Sequence, residues 1–141
     1  AYWTGPYAGR GGHDQDPRDF THLVEINLRG RIRWVNGDAE VAPGITVHLV
    51  GGHTAGMQVV RVATAKGQVV LASDASHYYE NIERDRPFRA VHTVPLAYAA
   101  FDRVNELAGH PELIVAGHDP LVMARFPAAS AELHGLVVRI A

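Results

Sequence analysis

Apolar positions along this chain come in short runs, cut by glycine, proline and Asn/Asp turns. Over 1–17 glycines and prolines recur without apolar periodicity, so this stretch is expected to be an irregular arm. Tyr2, Trp3 and Tyr7 would cover a surface from it. Asp16-Pro17 then suits the start of a helix over 18–28, with Phe20, Leu23, Val24 and Ile26 on its apolar face. Polar and apolar residues alternate over 31–35, the pattern of a half-buried strand. Asn36-Gly37-Asp38 is a turn signal, after which 39–41 is expected to return as a partner strand.

Further on, 45–50 is rich in β-branched residues and reads as a strand ending at Gly51-Gly52. Segments 58–64 and 68–73 form a predicted hairpin around 65–67. Their nearly continuous apolar character predicts a sheet covered on both faces. A short helix and loop are expected over 74–87. Leu96, Ala99, Ala100, Val104 and Leu107 recur at helical spacing over 95–108, with Pro95 in the first turn and Gly109 past the end. Segment 113–116 is the last clear strand. A short helix over 126–133 and a closing edge strand over 136–140 complete the reading. No repeat or linker divides the chain, so 18–141 is expected to form one domain behind the arm.

Composition narrows the function. With 141 residues, 47% hydrophobic and 20% charged, the chain is globular and long enough to bury a core. A net charge of -2 without a basic tract argues against a nucleic-acid partner. The apolar runs are too short to span a membrane. The absence of cysteine removes disulfides, thiolate metal sites and Cys nucleophiles together. No Gly-x-Ser-x-Gly elbow, phosphate-cradling glycine loop, His-Glu-x-x-His helix or paired-carboxylate spacing occurs.

Nine histidines remain, and their positions matter more than their number. His53 lies in a Gly-Gly-His-Thr-Ala-Gly turn, Asp74 just after strand 68–73, and His118 just after strand 113–116. Each has an ordinary alternative: a loop histidine bonded to backbone, a helix-capping aspartate, a histidine paired with Asp119. Together, at the exits of three strands, two imidazoles and a carboxylate are a normal ligand set for zinc or a similar ion, with a position left for water. His77 stands beside Tyr78 and Tyr79, where it would support the ligands or face substrate, or else take a surface helix position. For His13, His22, His48, His92, His110 and His134 a structural or solvent role is expected.

Gly-Gly-His-Thr-Ala-Gly-Met-Gln at 51–58, Leu-Ala-Ser-Asp-Ala at 71–75 and Val-Ala-Gly-His-Asp-Pro at 115–120 resemble the metallo-β-lactamase superfamily. The likeness is greatest to its N-acyl-homoserine lactonase-like branch, which segments 38–47 and 78–81 also resemble. The resemblance implies an α/β (α+β) fold: a metallo-β-lactamase-like α/β/β/α sandwich, here incomplete and limited to its C-terminal half to two-thirds. It implies that His53 binds a first metal, Asp74 bridges two metals and His118 binds the second. It implies a small-molecule lactone or ester substrate, opened by metal-activated hydroxide. Where lactonases of this branch often carry a carbonyl-polarising tyrosine, this chain has His77, followed by Tyr78, so the electrophilic role falls to one of these two.

The family's His-x-His-x-Asp-His run is not found in residues 1–52. Two zinc ions belong to the complete family site, and one weakly held ion or none is expected in this chain alone. A homodimer or a complementing N-terminal segment is expected to cover the sheet left exposed, and a cytoplasmic location is expected. The competing expectation is a non-catalytic truncated fold or interaction module. Within hydrolases, aryl ester, phosphotriester or thioester cleavage is the alternative.

Overall fold

The computed structural model describes residues 16–141, so the aromatic arm predicted for 1–17 lies outside the described residues except at its last two positions. The chain falls into two compact units, one ending at Trp34 and the other running over Val35–Ala141. In the first, helix α1 (Pro17–Leu28) starts as predicted: the Asp16 carboxylate accepts from the Arg18 amide at 2.9 Å and Pro17 opens the first turn. No residue of α1 is buried, and Leu23, Val24 and Leu28 of its apolar side are exposed.

The strand expected over 31–35 does not form. Alternation makes a strand only where one face can be buried. Trp34 is instead 70% exposed, its indole N–H donating to Asn27 Oδ1 at 3.0 Å.

The second unit is a five-stranded sheet in the order β1-β2-β3-β4-β5: β1 (Ala39–Ala42), β2 (Ile45–Leu49), β3 (Gln58–Thr64), β4 (Gly67–Ser73) and β5 (Ile114–Ala116). The first four strands are antiparallel neighbours, with Val60 opposite Leu71 in the β3–β4 hairpin. Strand β5 then lies parallel to β4. A parallel neighbour requires a crossover, supplied by α2 (Tyr79–Glu83) and α3 (Val94–Ala108). Helix α3 starts at Thr93, whose hydroxyl accepts from the Leu96 amide, and stops at Gly109, which is left-handed at φ 70°.

The core lies between α3 and one sheet face. Phe101, Val104, Leu107 and Ala108 pack with Val59, Val70, Ala72 and Ile114. Cover on both faces was expected. In β4, Val70 and Ala72 are buried against α3, and Val69 is buried on the other face. Leu71 on that second face is 38% exposed, so the second face is covered only in part.

The C-terminal expectations also change. No helix occupies 126–133; helix α4 (Val122–Arg125) precedes it. Asp119 Oδ1 accepts from the Leu121 amide at 2.9 Å and starts that turn. Phe126, preceding Pro127, is held extended at φ −117°, ψ 145°, as a residue before proline prefers, and the helix stops. Segment 136–140 forms only an isolated bridge, Ala128 to Val138, rather than an edge strand. Among the described residues no helix is long and apolar enough to cross a membrane.

Candidate metal centre

The sheet topology brings three connections to one edge. Strand β3 begins where antiparallel β4 ends, so the loop before β3 sits beside the residues that follow Ser73. Strand β5, parallel to β4, ends on the same rim. His53, Asp74 and His118 are therefore brought together, as strand exits on one rim were expected to be.

Each connection is pinned locally. In the loop carrying His53, the Gly52 carbonyl accepts from the amides of His92 and Thr93, at 2.8 and 3.3 Å, just ahead of α3. A Cβ on Gly52 would stand 3.0 Å from Ala97 Cα and 3.2 Å from Leu96 O, and the residue has φ +86°. Only glycine fits this approach to the helix. After β4, Ser73 takes φ 46°, unusual for a residue with a side chain, and Asp74 follows directly. After β5, Gly117 lies against Ser73, its amide donating to Ser76 O at 2.9 Å, and the His118 amide donates to His77 O at 2.9 Å. These two bonds tie the His118 connection to the Asp74 connection.

Three imidazoles face the one carboxylate. His118 Nε2 lies 2.6 Å from Asp74 Oδ1, and His77 Nε2 lies 3.4 Å from the same oxygen. His53 Nε2 lies 3.8 Å from Asp74 Oδ2. The His53 Nδ1–H donates to the Ala90 carbonyl at 2.6 Å, which orients the ring and leaves Nε2 toward the carboxylate. His77 stacks on Phe88 with ring centroids 3.6 Å apart and planes 13° from parallel, and meets His118 edge-on at 4.5 Å. Burial, then the neighbouring His118, push the His77 imidazole below its ordinary pKa, with Asp74 acting the other way.

The ordinary alternatives for two of these residues are not seen. Asp74 caps no helix, since α2 begins at Tyr79. Asp119 does not pair with His118; it is buried, and its second oxygen accepts from the Tyr79 amide at 2.9 Å. His48 has a structural place: it is buried, with Nδ1 2.8 Å from Asp38 Oδ2 and Nε2 2.9 Å from Thr46 Oγ1.

Asp74, His77 and His118 offer ligand atoms that all lie within 4.8 Å of one another. One carboxylate oxygen flanked by neutral-capable imidazole nitrogens suits zinc or a similar divalent ion. Tyr78 differs from His77: it is 48% exposed, its ring centroid 6.5 Å from that of His77. Of the places left open for His77, the structure gives one beside the ligands, with its Nε2 3.4 Å from Asp74 Oδ1. The i, i+3 spacing from Asp74 to His77 was the available signal. Nothing in the pattern marked Phe88 and the Ala90 carbonyl as the supports of two rings.

No family profile matches this chain. It is 38% identical over 95 residues to an N-acyl homoserine lactonase of Bacillus sp, a match spanning 66% of this chain and 37% of the relative. Among solved structures, an N-acyl homoserine lactone hydrolase with N-hexanoyl-L-homoserine bound at its catalytic metal center superposes at TM-score 0.59 and 33% identity. That superposition covers 65% of this chain and 37% of the other. The dizinc quorum-quenching lactonase AidC, 14% identical at TM-score 0.52 over 76% of this chain and 44% of its own, shares the fold.

Fold and rim together define the class, a metallo-β-lactamase-type α/β fold with its candidate site at the strand exits. Within that class, the motif resemblance holds: the chain is related to the N-acyl-homoserine lactonase-like branch, over a segment consistent with its C-terminal portion. It spans little more than a third of the length of the relatives it matches.

Proposed function

We propose that this chain carries part of the active site of a metal-dependent hydrolase that opens lactones or esters, with acyl-homoserine lactones as the first substrate class to test. The observation that carries this reading is the convergence of His53, His77 and His118 Nε2 atoms on the two oxygens of Asp74. The similarity to lactonases supports the substrate class. His53, Asp74 and His118 are the residues that would hold zinc or another divalent cation. When bound, such an ion supplies Lewis acidity to a carbonyl and lowers the pKa of water toward neutrality.

The chain's own contribution is positional. Oδ1 and Oδ2 of Asp74 face different imidazoles, so one carboxylate can serve two neighbouring ligand sets. The carbonyl-bonded Nδ1–H of His53 keeps that ring from turning away. Tyr78, 48% exposed and one residue beyond His77, is the group able to donate toward a developing oxyanion.

The test is hydrolysis by the zinc-loaded chain of N-hexanoyl homoserine lactone and of a nitrophenyl ester, against Asp74→Asn as the background. Turnover above that background supports the reading. A chain that binds zinc and hydrolyses neither substrate overturns it for these residues and leaves a fold without hydrolytic activity of its own.

A further inference from the structure

We propose that His77 is a metal ligand in this chain, joining Asp74 and His118 to close a compact one-ion site for a divalent cation. The inference rests on the rim being metal-binding, but not on any hydrolytic activity. Its basis is where the ring stands. His77 Nε2 is 3.4 Å from Asp74 Oδ1. Zinc–nitrogen and zinc–oxygen bonds of about 2.0–2.1 Å in a tetrahedron place neighbouring ligand atoms roughly 3.3 Å apart. The His77–Asp74 pair therefore already has the spacing of two ligands on one ion. His118 Nε2, at 2.6 Å from the same oxygen, hydrogen-bonds it and needs to withdraw by only roughly 0.7 Å to reach that spacing.

The ring is also held in this pose. Phe88 covers one face of it, and His118 lies edge-on to it. A group that polarises a substrate carbonyl should aim its donor toward the open side of the site. His77 Nε2 instead aims at the carboxylate among the other ligand atoms. His53, on the far oxygen of Asp74 at 3.8 Å, completes the set as a fourth ligand or opens a second position. Tyr78, half exposed one residue on, is left as the donor toward substrate.

The experiment uses the whole 141-residue chain, stripped of metal and titrated with Zn2+ by calorimetry and with Co2+ by visible absorption. One ion per chain is expected, with cobalt bands of four-coordinate intensity. His77→Phe, which keeps the stack on Phe88, should weaken zinc binding by at least about tenfold, as loss of supporting groups alone costs roughly 10–100-fold. It should also shift the cobalt spectrum. Circular dichroism of the metal-free variant checks that it folds. If it does not, the histidine ring nitrogens of the unaltered chain are followed by 15N NMR as zinc is added. His77 Nε2 should then shift at one equivalent along with that of His118.

Zinc affinity and a cobalt spectrum unchanged in His77→Phe, or a His77 ring indifferent to zinc, overturn the proposal. A chain that binds zinc through His77 yet opens no lactone would leave it standing and sink the hydrolase reading alone. A chain that hydrolyses lactone while His77→Phe binds zinc normally would do the reverse. No zinc binding at all overturns both.

Discussion

Gly117→Ala is the substitution that most directly tests how the rim is built. A Cβ on Gly117 would stand 2.7 Å from the Ser73 carbonyl carbon and 3.2 Å from its Cα, with the carbonyl oxygen nearer still. Ordinary carbon–carbon contact is about 3.5–4.0 Å, so β4 and β5 must part by on the order of 1 Å where they deliver Asp74 and His118. Backbone cannot swing aside as the tip of a side chain can. Overpacking of this kind costs about 1–3 kcal/mol. The bonds from the Gly117 and His118 amides to Ser76 O and His77 O are stretched as well, each worth about 1 kcal/mol.

A fall in Tm of roughly 3–10 °C is expected for a chain of this size. Zinc affinity should fall with it, because His118 and Asp74 are carried on the two segments being separated. Thermal unfolding and calorimetric zinc titration read the two effects. Gly56→Ala is the matched control: it lies in the His53 loop, has no positive φ, and a Cβ there meets nothing within 4 Å. It should stay within about 0.5 kcal/mol of the unaltered chain. Gly117→Ala melting and binding zinc like that control would refute the close-approach account.

Two further outcomes follow from the core and the sheet edge. Phe101→Ala removes a side chain that is 1% exposed between α3 and the sheet, and should cost about 3–5 kcal/mol in urea unfolding; a loss below about 1 kcal/mol would mean that α3 does not hold the sheet. The Asp38 carboxyl titrates below the ordinary aspartate value of 3.8, chiefly through its hydrogen bond with His48, with the Leu49 amide and Arg103 adding to it. A depressed carboxylate contributes stability that is present above the unfolded value and lost as pH falls through the folded one. The chain should therefore lose stability as pH drops below 3.8, and Asp38→Asn should lack that part of the acid slope. Identical slopes in the two proteins would show that this link adds nothing.

Much of the sheet and two of the helices could be read directly because their signals are local. β-branched runs bounded by glycine and proline sufficed for β2 to β5, Asp16-Pro17 for the start of α1, and spacing with Pro95 and Gly109 for α3. The strand exits of His53, Asp74 and His118 were legible for the same reason: each follows an apolar run by one turn. Local pattern failed where a neighbour had to be present. The alternation over 31–35 had no face to bury, and the apolar residues over 126–140 met Pro127 and a single bridge rather than a strand partner.

His77 shows the division most sharply. Sequence by itself determined that a histidine stands three residues beyond Asp74, on the same connection. Which way its ring faces was decided only by the tertiary structure, through Phe88 stacked on one side and the His118 amide bonded to its own carbonyl. Spacing along a chain sets which residues can share a turn. The direction of a side chain is set by packing from segments far away in sequence, and here that packing aims three imidazoles at one carboxylate.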